Sequence, residues 1–316
     1  MLLPREEGLV RMSIAIITHH DCLLHDMAPG HPERPERLLA IDRHLVHRGY
    51  QYELAFHDAP LATREQLERV HDAGHVQALF EQAPREGEIA LDPDTIMTPF
   101  TLNAALRAAG AVVEAVELLH EGEAVRCFCS VRPPGHHATR RQAMGFCFFN
   151  NVAVGAAHAL ARGWSRVAIC DFDVHHGNGT EDIFGGDPRV LLLSSFQHPF
   201  YPHTGADSPH HNVVPVPLAA GSDSAVFRAA VERHWLPRLE AFRPELVFVS
   251  AGFDAHRADP LGGLALEEDD YRWVTRRLLE VAQRHAHGQM ISTLEGGYDP
   301  EALGASVCAH IDALID

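Results

Sequence analysis

Short apolar runs punctuate this chain, and most of them end in a polar, glycine-rich stretch. The runs over 13–17, 52–56, 125–129, 166–170, 190–194, 213–216, 245–249 and 289–294 are four to six residues long. They are continuous rather than alternating, which predicts strands buried on both faces, as in a parallel sheet. Between them, apolar residues recur at helical spacing over 35–49, 63–80, 100–120, 151–162, 223–242, 267–286 and 300–315. Strand alternating with helix predicts an α/β fold, a mostly parallel sheet with helices on both faces.

The polar stretches that follow the runs carry the candidate chemistry. Arg132-Pro-Pro-Gly-His136-His137 follows 125–129, and Asp171-Phe-Asp173-Val-His175-His-Gly-Asn178-Gly-Thr180 follows 166–170. The segment from Ser250 to Gly263 follows 245–249, and Glu295-Gly-Gly-Tyr298 closes 289–294. Open α/β sheets collect their ligands outside the carboxyl ends of the strands. Asp173 and His175 are two residues apart, so on an extended backbone they point to one side. A carboxylate and an imidazole placed this way form half of a zinc site, which usually takes three ligands and keeps one position open. Taken alone, an Asp-x-His triplet is more often a hydrogen-bonded loop. Four strand-plus-polar-loop units in one chain argue against that plainer reading.

Composition narrows the picture. The chain has 316 residues, 46% of them apolar, and no linker-like or repeated tract divides it. It reads as one catalytic domain over 13–316, with 1–12 as an N-terminal extension. No apolar run approaches the ~20 residues of a membrane span. The cysteines at 22, 127, 129, 147, 170 and 308 show no Cys-x-x-Cys spacing and several fall inside apolar runs. They read as buried free thiols in a reducing cytoplasm. A net charge of −17 argues against a basic nucleic-acid-binding face. All 26 basic residues are arginine. The chain therefore presents no lysine side chain of its own.

The motifs together resemble the zinc-dependent histone deacetylase family, specifically the class II-like branch that includes bacterial histone deacetylase-like amidohydrolases. The resemblance rests on His31-Pro-Glu-Arg-Pro-Glu-Arg37, the Arg132 to His137 segment, Gly145-Phe-Cys-Phe-Phe-Asn150, Asp171 to Thr180, Phe200-Tyr-Pro202, Ala251-Gly-Phe-Asp254, Asp259-Pro260 and Leu294-Glu-Gly-Gly-Tyr298. It implies the arginase/deacetylase-like fold, a three-layer α/β/α sandwich around a mostly parallel eight-stranded sheet. The eight candidate strands agree with that number.

The resemblance also implies a site. Its metal ligands fall on Asp173, His175 and Asp259, although an Asp before a proline more often caps a turn. Two carboxylates and one imidazole suit one catalytic zinc and leave iron(II) open. His137 is implied as the general base and then acid, paired with Asn178. His136 is implied to hold the water and pair with Asp171. Tyr298 is implied as the donor to the scissile carbonyl. Phe146 and Tyr201, with Phe200 as the register alternative, would wall a substrate channel with Leu261 at its mouth. Arg37 would line an acetate-release channel, its alternative being a surface helix position. One or two structural potassium ions are implied. The first would use Asp171, Asp173, His175, Ser194 and Ser195, mostly through backbone oxygens. The second would use those of Phe184, Asp187, Val190 and Asn212.

The function implied is hydrolysis of the side-chain amide of acyl-lysine in peptides or proteins. An acetylpolyamine amidohydrolase is the first alternative. Leu261 speaks against it, because polyamine-selective relatives carry a glutamate there. A catalytically silent acyl-binding protein is the second alternative.

Overall fold

The computed structural model describes residues 14–316, so the expected extension over 1–12 and the first residue of the first expected strand lie outside the described residues. The strands in chain order are β1 (Ile14–Thr18), β2 (Ala55–Asp58), β3 (Ile89–Ala90), β4 (Ile96–Met97), β5 (Arg126–Cys129), β6 (Val167–Asp171), β7 (Val190–Gln197), β8 (Val213–Leu218), β9 (Leu246–Ala251) and β10 (Met290–Leu294). Eight of them form one sheet in the order β2-β1-β5-β10-β9-β6-β7-β8. Every pairing in that sheet is parallel. All eight expected strands are present; the second is displaced, 55–58 instead of 52–56. β3 and β4, a two-residue antiparallel pair, are too short to leave a periodic signal.

Helices form the outer layers. Glu36–Arg48, Glu268–His285 and Pro300–Ile315 pack together in one layer, and Thr101–Glu121 and Asn151–Arg162 in the other. The apolar runs are buried throughout: Phe128, Ile169, Leu192 and Phe248 have no exposed surface. This continuous burial is what unbroken apolar strands require. The expected helix over 63–80 is instead two helices, Arg64–Glu68 and Ala73–Gln82. Asp72 makes the break: its side chain accepts a hydrogen bond from Gly74 N–H and starts the second helix. A further helix, Asn178–Phe184, follows the Asp171–Thr180 motif.

The topology positions the site. β5, β10, β9 and β6 are neighbours at the centre of the sheet. Their carboxyl ends release the His136–His137, Glu295–Tyr298, Gly252–Asp259 and Phe172–His175 segments side by side.

Candidate metal and catalytic centre

Backbone amides fix the carboxylates first. Asp173 Oδ1 accepts from His175 N–H at 2.8 Å, and Asp173 Oδ2 accepts from Gly296 N–H at 2.8 Å. Asp254 Oδ1 accepts from Val174 N–H at 2.9 Å. The three loops are thereby laced together, and one ligand atom each from Asp173, His175 and Asp254 falls within 4.8 Å of the others. His175 Nδ1 lies 3.0 Å from Asp173 Oδ1 and 3.2 Å from Asp254 Oδ2. Asp254 Oδ2 is fully buried without a hydrogen-bond partner.

The expected third ligand, Asp259, is not part of this group. Its carboxylate turns the other way and accepts from Leu261 N–H at 2.9 Å, Tyr298 N–H at 2.6 Å and Asp299 N–H at 3.4 Å. It performs the turn-capping role that is common for an Asp before proline, and it tethers the backbone of Tyr298. Asp254, five residues earlier in the same loop, takes the position expected for Asp259. The signal that could have identified it is a pair of glycines. A Cβ on Gly296 would lie 1.9 Å from Asp254 Oδ2, and one on Gly252 would lie 2.0 Å from Asp173 Oδ2. Both positions must be side-chain-free for two carboxylates to sit this close to the backbone.

These residues suit a divalent cation. Burial opposes charge on His175, yet its hydrogen bond to Asp173 and the charges of Asp173 and Asp254 raise it to about 10. Burial and the neighbouring Asp173 charge raise Asp254 above the usual carboxylate range. Two buried carboxylates sharing one imidazolium, with one oxygen unpartnered, form a hard donor set that is short of positive charge.

The two adjacent histidines behave oppositely. His136 Nδ1 is 2.9 Å from Asp171 Oδ2. Burial works against its protonation, but Asp171, Asp173 and Glu295 hold it well above its ordinary value. His137 Nδ1 is 2.7 Å from the Asn178 side-chain oxygen. Burial and the charges of His136 and His175 push His137 well below its ordinary value. A neutral ring that donates from Nδ1 to an amide oxygen leaves Nε2 as a free base. Glu295 lies beneath the pair. Its Oε2 accepts from Gly135 N–H at 2.6 Å and His136 N–H at 3.1 Å, and burial raises it to about 7. Glu295 lies in the Leu294–Tyr298 motif, whose sequence alone does not assign it a part.

A cavity of about 240 Å³ opens over this floor, lined by Asp94, Pro134, Gly145, Phe146, Phe200, Tyr201, Leu261 and Tyr298 together with His136, His137 and His175. Phe200 stacks on His175 at 5.3 Å and 17°, and Tyr201 meets His137 edge-on at 5.1 Å and 83°. Both register candidates therefore face the cavity. Phe146 meets Tyr298 edge-on at 5.9 Å and is held at φ 68°. Left-handed backbone at a bulky residue costs about 1–3 kcal/mol and concentrates at functional positions. Asp94 at this cavity was not anticipated; burial, with Asp92 beside it, raises it to about 6.

Arg37 is 0% exposed, which rules out the surface-helix alternative. Its Nε donates to Gly297 O at 2.6 Å, another nitrogen donates to Glu295 O, and Nη1 donates to Glu33 Oε1 at 3.0 Å. The guanidinium sits 4.8 Å from the centre of the Tyr298 ring. Glu33, also paired with Arg132, is a further unanticipated buried partner.

The expected potassium ligands fall in two places. Asp171, the last residue of β6, is the register neighbour of Ser194 in the middle of β7, so these two of the residues named for the first site are adjacent across the sheet. Ser195 is buried beside Ser194. In the second place, the carbonyls of Phe184, Asp187 and Val190 converge on the side chain of Asn212 rather than joining its backbone oxygen around a cation.

The family model described as Histone deacetylase domain matches residues 31–314. The chain is 35% identical to the Type-2 histone deacetylase 2 of Dictyostelium discoideum over 95% of its own length, but spans 20% of that protein. It is 38% identical to the Histone deacetylase-like amidohydrolase of Pseudomonas aeruginosa over 86% of this chain and 73% of that one. Among solved structures, the HDA15 HD domain superposes with a TM-score of 0.90 at 36% identity, covering 96% of this chain and 89% of the other. A match this extended, on a sheet that presents these residues at its carboxyl edge, places the chain in the histone deacetylase family.

Proposed function

We propose that this chain is a zinc-dependent hydrolase of the acylated lysine side chain in peptides or proteins. The observation that supports it most is the meeting of a neutral His137, the Asp173–His175–Asp254 group and Tyr298 in one aromatic-walled cavity. Asp173, His175 and Asp254 would hold the zinc, which when bound supplies a Lewis acid for the scissile carbonyl and the attacking water. The first potassium ion implied by the resemblance would sit near that group, where the end of β6 at Asp171 pairs with Ser194 of β7.

The side chains divide the remaining work. His137 Nε2 takes the proton from the attacking water and delivers it to the leaving lysine amine. His136, kept charged by Asp171, holds that water by donating from Nε2. The Tyr298 hydroxyl donates to the carbonyl oxygen as charge develops there. Asp259 and Arg37 fix the Tyr298 backbone from two sides, through its N–H and through Gly297 O. Phe146, Phe200 and Tyr201 exclude water from the neutral aliphatic stem of the substrate. Water adds, the amide C–N bond breaks, and a carboxylic acid and a free amine leave. The buried free cysteines favour a reducing compartment. Among the described residues, no helix is long and apolar enough to cross a membrane.

A second reading, hydrolysis of acetylpolyamines, has one observation in its favour. Asp94 at the cavity offers a carboxylate for a substrate ammonium, although Leu261 does not. The deciding experiment compares kcat/KM for acyl-lysine peptides of several acyl lengths with that for acetylspermidine and acetylputrescine. A preference for the peptides is expected. Preference for a polyamine would transfer the assignment to the second reading. Binding without turnover of any substrate would leave an acyl-binding protein.

A further inference from the structure

The turn between helix Asn178–Phe184 and β7 closes around one side chain. Asp187 N–H donates to Phe184 O at 2.9 Å, and Val190 N–H donates to Asp187 O at 3.1 Å. Successive three-residue turns bring the carbonyls of residues 184, 187 and 190 to one side, because positions i and i+3 eclipse. Asn212, immediately before β8 and 5% exposed, places its Nδ2 among them. The distances are 2.9 Å to Phe184 O, 3.1 Å to Asp187 O and 3.0 Å to Val190 O.

The orientation of this amide is fixed by its other end. Asn212 Oδ1 accepts from Gly186 N–H at 2.8 Å. Turning the amide over would set Oδ1 against three carbonyl oxygens and an NH2 group against an N–H donor, so one assignment satisfies the network. An NH2 group has two hydrogens, and here it faces three acceptors. Three inward-facing carbonyls around one centre form the donor set of a monovalent cation, not the complement of a carboxamide. The second potassium site implied by the resemblance uses these same three carbonyls. Nitrogen and cation cannot share one position.

We propose that the Asn212 carboxamide replaces the cation at this turn, so that the chain closes the Phe184–Val190 loop with its own side chain and binds no potassium there. The partial positive charge of the NH2 group does the cation's work on three carbonyl dipoles, and Gly186 N–H anchors it. The loop then holds its shape whatever the potassium concentration. The proposal does not depend on the substrate or on the reaction, and its test reads binding and stability.

Crystals of the wild type and of Asn212→Ala, grown with thallium(I) in place of potassium, would locate the cation by its anomalous signal. The wild type should show no thallium among the carbonyls of residues 184, 187 and 190, and Asn212→Ala should show one ion there. In solution, replacing tetramethylammonium chloride by potassium chloride at equal ionic strength should raise the Tm of Asn212→Ala by at least about 2 °C more than it raises that of the wild type. A thallium peak among these carbonyls in the wild type, with Asn212 turned away, would overturn the proposal, and it needs no variant to fold. A variant with neither the peak nor the added potassium response would also overturn it, since the amide would then be an ordinary turn cap.

Discussion

Two histidines, His175 and His310, adjoin the Phe172–Asp173 and Phe253–Asp254 segments from different sides, and they differ in what they leave unsatisfied. Phe172 and Phe253 each precede a carboxylate of the candidate metal group, Asp173 and Asp254, and each also packs against His310 at 6.2 and 6.1 Å. His310 is fully provided for. Its Nδ1 is 2.6 Å from Thr275 Oγ1, which donates onward to Tyr271 O, and its Nε2 is 2.9 Å from Ser292 Oγ. Burial lowers it to about 3, so it stays neutral and joins helices to sheet. His175, close by, faces two carboxylates, is raised to about 10, and lies next to an oxygen with no partner. Burial separates them only a little, since His310 has no exposed surface and the His175 side chain is 13% exposed. An unpartnered acceptor and an unbalanced charge mark the group built to take something from outside.

The comparison is broken most severely at Asp254. Asp254→Asn should lose bound metal and lower kcat/KM by more than the ~10- to 100-fold that outer partners cost. Asp259→Asn should retain the metal and lose less, acting through the Tyr298 backbone. Metal content by mass spectrometry beside kinetics distinguishes them, and metal loss in the Asp259 variant alone would reverse the ligand assignment.

Tyr298→Phe should keep fold and metal while kcat falls ~100- to 1000-fold, the usual cost of one oxyanion donor. A nearly unchanged kcat would mean that another group polarises the carbonyl. Leu261→Glu should move the ratio of kcat/KM for acetylspermidine over an acetyl-lysine peptide upward by about 10- to 100-fold, as one charge-assisted contact of ~1.5–3 kcal/mol allows. An unchanged ratio would place residue 261 away from the bound ammonium.

The smallest effect concerns the satisfied cluster. His310 is neutral in the fold down to about pH 3, whereas an unfolded histidine takes its proton near 6.5. Between those values the unfolded chain binds the extra proton, so His310 makes stability fall as pH falls, by about 1.4 kcal/mol per pH unit. His175 in metal-stripped protein has the opposite sign. Its contribution is complete below about pH 6.5 and is lost as pH rises towards about 10. Urea unfolding across pH should show the acid limb flattened in His310→Gln and the alkaline limb unchanged. Equal flattening of both limbs would mean that the two clusters are one coupled system.

How much of this was legible in the sequence follows from the physics of each signal. Strands buried on both faces announce themselves as apolar runs, so the sheet was readable, with an offset at β2. The edge position of β2 explains the offset: its residues are largely exposed, and the pattern weakens there. The Asp173–His175 pair was readable because a period of two is rigid. Asp254 and Asp259 were not separable that way, since both lie in an irregular loop where no period says which side chain points inward. Glu33, Asp94 and Glu295 come from different parts of the chain, and only the closed fold brings them to the cavity or the residues beneath it. Asn212 is polar beside a strand, and nothing in its sequence setting reveals the three carbonyls it meets.

The strand order has a consequence for how the protein is made. β10 is the last strand in the sequence, yet it lies between β5 and β9. Before it leaves the ribosome, the chain can form only two partial sheets, β2-β1-β5 and β9-β6-β7-β8, each with an unpaired inner edge. Such edges invite pairing with other nascent chains. The late strand heals both at once and carries Glu295 to Tyr298 into place in the same step. Arg37, synthesised early, waits some 260 residues for Gly297, its acceptor. Assembly of the sheet and completion of the candidate site are thus one event, and a nascent chain that has not yet placed β10 has no Tyr298 in its cavity.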